Sequence, residues 1–205
     1  MGDKLQQTFR SDGGAAYWKE VESTVDGMLG GFQQLDEPDV RGSNDFIRPF
    51  LDSLPARNLA CDCGAGIGRV SKNFLLQHFK QVDLVEQNKS FLETARETVF
   101  GPNDTRVSRY IPLGLQDFTP EPARYDLIWC QLALATSGGR IGVKENVLKA
   151  LYEEETVFDE EDCSVTRSDA LLKRIFAESG LRLLAEDTQT GFPQGLYRVK
   201  MYWLE

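Results

Sequence analysis

Apolar residues along this chain switch between two periods. Short apolar runs at Leu59–Cys63, Val82–Val85, Val107–Leu113 and Tyr125–Gln131 have the length and composition of buried strands, and the stretches Ile67–Phe79 and Ser90–Phe100 between them carry helical spacing. Strands alternating with helices predict an α/β domain with a parallel, doubly wound sheet, whose ligand lies at the carboxyl ends of the strands. Ahead of the first strand, Ala15–Phe32 reads as a short amphipathic helix, a Ser23-Thr24 cap and an apolar turn ending in Gly30-Gly31. Pro38–Leu54 then places Val40, Phe46, Ile47, Phe50 and Leu51 at helical spacing. Residues 15–54 are therefore expected to form helices that cover an edge of the core or act as a lid over a cleft. Residues 1–14 are polar and are expected to be disordered.

The alternation falters after the fourth strand. Arg140–Glu145 looks like a fifth strand, yet only Leu132–Gly139 separates it from Gln131. A parallel neighbour ordinarily needs a crossover of a dozen or more residues. Strand five is then displaced, or the end of strand four is remodelled, or the chain lacks a crossover helix. Beyond it, the acidic run Glu153–Asp162 followed by Cys163-Ser164-Val165 suits an inserted β-hairpin. Ser168–Ser179 is a capped helix stopped by Gly180, and Leu181–Glu186 with Leu196–Leu204 forms an antiparallel finish to the sheet.

The chemistry concentrates at Asn58–Arg69, N-L-A-C-D-C-G-A-G-I-G-R, where a buried strand runs into three glycines and a helix. Glycine lets the backbone turn sharply and approach a ligand, and the first N–H groups of the helix face it. The spacing is G-x-G-x-G rather than the dinucleotide G-x-G-x-x-G, and Asp62 stands just before the first glycine. A carboxylate there repels phosphate and welcomes an ammonium group. S-adenosylmethionine presents an ammonium, a carboxylate and an adenosine together. Glu86, eighteen residues after Gly68 at the end of the second strand, can accept both ribose hydroxyls. A nicotinamide dinucleotide remains open as the alternative. With Gln116, Asp117 and Gln131 at later strand ends, these polar groups are expected to converge on one cleft.

Composition narrows the partners. The net charge of −9 argues against nucleic acid, which calls for a basic stripe, and favours cationic partners. No apolar run approaches a membrane span, so a soluble intracellular protein of one domain, 1–205, is expected. The four cysteines lack metal-type spacing and read as buried thiols; Cys61 and Cys63 share one face of a strand. The only histidine, His78, sits near a helix end and reads as a packing or capping residue, so neither a histidine triad nor a zinc site is expected.

The strings Y-W-K-E-V-E-S-T-V-D-G-M-L-G-G-F, D-C-G-A-G-I-G-R, G-L-Q-D-F-T-P-E-P, Y-D-L-I-W-C-Q, K-E-N and D-E-E-D-C-S-V-T-R-S-D together resemble the alpha N-terminal protein methyltransferases. The resemblance covers residues ~15 to 205 apart from the short connection. It implies a class I methyltransferase fold with a Rossmann-like sheet, an antiparallel last strand, an N-terminal helical lid and an inserted hairpin. It implies methyl transfer from S-adenosylmethionine to the α-amine of proteins beginning X-Pro-Lys, such as ribosomal-protein-like or other basic proteins, by a cytoplasmic or nuclear monomer.

By that resemblance Gly64, Gly66, Arg69, Glu86, Leu115, Gln116 and Gln131 would hold the cofactor. Trp18, Leu29 and Tyr197 would wall the substrate channel. Asn146 would bind the substrate terminus, Asp159 its lysine and Asp162 the amine, with Asp162 and Asn146 as the catalytic pair. Family members continue strand four as Q-W, then G-H-L-T-D and a long helix, where this chain has Leu132-Ala133-Leu134-Ala135-Thr136. An internally shortened chain with impaired chemistry is therefore expected, or a binding protein; a methyltransferase for small amines is a further alternative.

Overall fold

The computed structural model describes residues 13–131, 140–149 and 155–205. The expected disorder of residues 1–14 falls almost wholly outside this range, as does the connection 132–139. Five strands run in parallel in the order β3-β2-β1-β4-β5. They are β1 (Leu59–Cys63), β2 (Gln81–Val85), β3 (Val107–Ile111), β4 (Leu127–Gln131) and β5 (Arg140–Leu148). The inserted hairpin is β6 (Thr156–Phe158) with β7 (Val165–Ser168), and β7 joins the far end of β5 at Val147 and Leu148. The sheet ends in β8 (Leu183–Thr188) and β9 (Arg198–Leu204); β9 lies antiparallel between β5 and β8.

The fifth strand is not displaced. Leu127–Gln131 pair in register with Arg140–Lys144, so β4 keeps its full run and β5 lies beside it. β5 also extends three residues beyond the Glu145 read from the sequence, because β9 pairs with it as far as Val147.

Helices cover both faces. α1 (Gly13–Glu20) and α2 (Val25–Met28, capped by Thr24) precede α3 (Asp36–Ile47), whose chain continues as a 3-10 turn over Arg48–Ser53. α4 (Arg69–Asn73), α5 (Lys89–Thr94) and α6 (Asp169–Glu178, capped by Ser168) follow. α4 is shorter than the Ile67–Phe79 helix expected. Phe74 leaves helical geometry at φ −129° and buries its ring on Trp129 at 4.8 Å.

One core layer gathers Phe46, Ile47, Phe74, Trp129 and Trp203; the other gathers Cys61, Cys63, Ile128, Phe176 and Tyr202. The expected lid of residues 15–54 thus divides. α3 and the turn after it are part of the core, with Ile47 fully buried and Phe50 stacked on Trp203 at 5.1 Å. Only α1 and α2 lie over the cleft. His78 packs edge-on against Phe74, with Nε2 2.5 Å from Asn44 Oδ1. The cysteines are free, with Cys61 and Cys63 sulfurs 3.8 Å apart; Cys61, Cys63 and Cys130 are buried as expected, whereas Cys163, at the turn of the β6–β7 hairpin, is only half-buried.

Candidate functional site

A cavity of about 290 Å³ opens at the carboxyl ends of β1, β2 and β4, within reach of the ~300–1,000 Å³ typical of small-molecule pockets. This is where strand order reverses in a doubly wound sheet, the place a ligand is expected. Asp62 ends the side-chain row of β1 that faces it. Gly64 to Gly66 form the turn, Arg69 and Val70 the start of α4, Glu86 the end of β2, Leu113 to Gln116 the loop after β3, and Gln131 the end of β4. Trp18, Met28 and Leu29 close it from above.

The glycine turn works through its left-handed backbone. Gly64, Gly66 and Gly68 all have positive φ. Gly66 N–H donates to Glu86 Oε2 at 3.0 Å, and Asn88 N–H donates to Glu86 Oε1 at 2.7 Å. Each oxygen retains a lone pair for a further donor. Burial pushes the Glu86 carboxyl above its usual value, and the backbone donors around it oppose that rise. A Cβ on residue 66 would come within 2.6 Å of Met28 Sδ, so the floor and roof touch here.

Asp62 is nearly fully buried and accepts from Ser71 Oγ at 2.7 Å. Burial pushes its carboxyl up to about 6, against the pull of Ser71 and Arg69. The Arg69 guanidinium uses Nη1 for both Asp36 (2.7 Å) and Asp39 (2.9 Å). Burial alone would lower its pKa, but the two carboxylates raise it. Arg69 is thus a fixed cation on the cavity wall.

All seven residues assigned to cofactor binding come together on this one cavity, as do Trp18 and Leu29. Asp117 does not line it; Asp117 Oδ2 accepts from Gln116 Nε2 at the surface. Asn146, Asp159, Asp162 and Tyr197 do not line it either. Asn146 is half-buried on the face of β5 that carries Lys144, the register partner of Gln131, two residues nearer the carboxyl end. Asp159 and Asp162 cap the turn of the β6–β7 hairpin, where Asp159 Oδ1 accepts from Glu161 N–H and Asp162 Oδ1 from Ser164 N–H. Tyr197 precedes β9 instead of belonging to it, and is 40% exposed.

α1 bridges the two groups. A Cβ on Gly14 would lie 3.7 Å from the Asp162 carbonyl. At its other end Trp18 lines the cavity and meets Phe91 edge-on at 6.5 Å. Four residues of helix separate Gly14 from Trp18, a rise of roughly 6 Å, which sets the scale between hairpin turn and cavity.

Sequence reasoning missed Phe91 and Leu113 on the lining. Phe91 lies on α5 and Leu113 in a loop, and an apolar side chain at either place carries no signal that separates cleft lining from core.

Comparison with known proteins fits this geometry. The model of a family described as AdoMet dependent proline di-methyltransferase matches residues 6–137 and 132–205. The chain belongs to the alpha N-terminal protein methyltransferase family. Alpha N-terminal protein methyltransferase 1 of Dictyostelium discoideum is 44% identical over 213 residues, covering 92% of this chain and 77% of that protein. N-terminal Xaa-Pro-Lys N-methyltransferase 1 of Homo sapiens is 37% identical, with 92% of each covered. Among solved structures, a SAM-dependent methyltransferase from Leishmania major superposes with a TM-score of 0.81 at 35% identity, over 94% of this chain and 81% of that one.

The two stretches of the family match meet at the connection between β4 and β5. Some 92% of 205 residues is about 189, set against 213 aligned positions in the Dictyostelium methyltransferase. About two dozen positions of that alignment therefore have no residue in this chain.

Proposed function

We propose that this methyltransferase moves methyl groups from S-adenosylmethionine to the α-amine of proteins that begin X-Pro-Lys, and that it does so with fewer residues between β4 and β5 than its relatives have. The observation that carries the reading is the cavity at the ends of β1, β2 and β4. It combines an acceptor for two hydroxyls (Glu86), a buried anion (Asp62) and a fixed guanidinium (Arg69), the three partners an adenosine joined to an amino acid needs. S-adenosylmethionine supplies, when bound, a methyl group on a positively charged sulfur.

This chain's residues then have three tasks. The cavity walls orient the cofactor, with Glu86 held by Gly66 and Asn88, and orientation alone can supply much of the acceleration. Trp18, Met28 and Leu29 exclude water from above. The incoming amine has a pKa of about 8 and must lose its proton before it can act as a nucleophile, a task assigned to the Asp162 carboxylate, directly or through water. Asn146 orients the substrate terminus, Asp159 receives the lysine, and Tyr197 lines the channel. The acidic hairpin turn and the net charge of −9 draw such basic substrates in. Four free thiols suit the reducing cytoplasm or nucleus.

The test is mass spectrometry of a Ser-Pro-Lys peptide incubated with the purified chain and S-adenosylmethionine. Mass gains in methyl steps on the α-amine are expected. No gain from a folded chain that binds the cofactor would overturn the transfer activity, and methylation of free amines with indifference to Pro-Lys would overturn the substrate class.

A further inference from the structure

Beneath the cavity lies a buried polar cluster whose central carboxylate has no part in the function proposed above. Its centre is Asp39, on the first turn of α3 and 5% exposed. Asp39 Oδ2 lies 2.9 Å from Arg69 Nη1, and Asp39 Oδ1 lies 2.7 Å from Lys144 Nζ. Gln131 Nε2 donates to both oxygens, at 3.0 and 2.9 Å. Lys144 is fully buried and also donates to the Asp39 carbonyl, Ser43 Oγ and Gln189 Oε1 at 2.8–2.9 Å. One carboxylate thus gathers side chains from α4, β4 and β5.

The arrangement fixes the polarity of Gln131. A carboxylate only accepts, so the amide group facing Asp39 must be the NH₂, and the carbonyl Oε1 must face away. Oε1 sits 3.4 Å from Trp129 Nε1, a long contact that leaves its acceptor capacity largely available. Gln131 and Arg69 both line the cavity. Asp39 therefore presents an acceptor and a cation side by side. An acceptor suits an ammonium and a guanidinium suits a carboxylate, which are the two charged groups of an α-amino acid.

We infer that Asp39 is a positioning residue that makes this wall of the cavity selective for the amino-acid end of the cofactor, by locking the amide of Gln131 and the guanidinium of Arg69 in complementary orientations. The inference rests on the S-adenosylmethionine reading and deepens it. Asp39 itself touches no ligand; it acts through its two neighbours.

The experiment compares two probes on the purified full chain by calorimetry. S-adenosylhomocysteine carries the amino-acid end, and 5′-methylthioadenosine lacks it. The variant Asp39→Asn is nearly isosteric and leaves Lys144 its other three acceptors. Its carboxamide can face Gln131 with either group, so the amide is no longer locked. Affinity for S-adenosylhomocysteine is expected to fall about ten- to a hundredfold, the scale of one charge-assisted hydrogen bond, while affinity for 5′-methylthioadenosine stays within about twofold. Gln131→Met, which removes the acceptor and leaves the Arg69 and Lys144 pairs with Asp39 in place, is expected to show the same selective loss and keeps the question open to test if Asp39→Asn does not fold.

Equal losses for both probes, or no loss for S-adenosylhomocysteine, would overturn the inference and leave the cofactor reading standing. Failure of the unmodified chain to bind S-adenosylhomocysteine would overturn both.

Discussion

Asn88 Nδ2 donates to the Trp18 carbonyl at 2.9 Å, fastening the end of α1 to the loop that follows β2. The same residue gives its backbone N–H to Glu86 and, through Oδ1, caps α5 at Ser90. The clamp on the Glu86 carboxylate and the latch on the roof are thus one residue.

Asn88→Ser separates these duties. Serine caps a helix about as well as asparagine but is too short to reach Trp18. We expect thermal stability within about 1 kcal/mol of the parent, the scale of one hydrogen bond, and cleavage by trypsin after Lys19 accelerated about fivefold. Unchanged cleavage would show that packing of Trp18 on Phe91 holds α1 by itself.

Gly66→Ala tests the turn. Residue 66 has φ +54° and its new Cβ would meet Met28 Sδ at 2.6 Å. The left-handed backbone costs about 1–2 kcal/mol for a residue with a side chain, and the displaced thioether disturbs the roof. Cofactor affinity should drop at least tenfold in titration calorimetry. Adding Met28→Ala should recover only part of it, because the backbone strain remains.

Asp62 gives a pH signature. Its carboxyl is raised to about 6 by burial, against ~3.9 in an unfolded chain, so the folded state holds this proton more tightly. The group leaves stability untouched below about pH 4, reduces it progressively as pH climbs to about 6, and costs roughly 3 kcal/mol beyond. Asp62→Asn should therefore be more stable than the parent at pH 7.5 and equal to it near pH 4, as read by denaturant melts. Ionised Asp62 attracts an ammonium, so cofactor affinity in the parent should rise as pH passes through about 6, and that rise should vanish in the variant.

Asp162→Asn addresses the proton. General bases contribute about 10²–10⁴ in rate, so on the role proposed for Asp162 kcat for the Ser-Pro-Lys peptide should fall by that order with cofactor affinity unchanged. Asp159→Asn should instead raise KM for peptides with lysine at the third position and spare those without it.

How far the sequence reached depends on the kind of signal. β1 and its glycine turn, and Glu86 at the end of β2, announce themselves locally, through apolar runs and backbone chemistry confined to a dozen residues. Ser168 and Gly180 mark α6 for the same reason. Asp39 does not. It lies in a helix among polar residues that normally face solvent, and its partner Lys144 is 105 residues away on β5, a pairing no periodicity encodes. The apolar stripe of α3 was visible as a stripe, but whether Phe46 and Ile47 faced a cleft or the core depended on where the sheet lay. Helical spacing for Ile67–Phe79 was also real, yet burial of Phe74 against Trp129 took precedence over helix continuity.

β5 is held from both flanks, by parallel register with β4 over Arg140–Lys144 and by antiparallel register with β9 over Ile141–Val147. Its seat is set by the C-terminal hairpin as much as by the strand before it, and the number of residues joining β4 to β5 can vary without moving either. Closing a longer loop costs only about 0.6 kcal/mol for each doubling of its length. The carboxyl side of the sheet therefore behaves as a socket. Connections of different length can be accommodated between Gln131 and Arg140 while the register of β4 with β5, and the cavity wall built on β1 and β2, stay as they are.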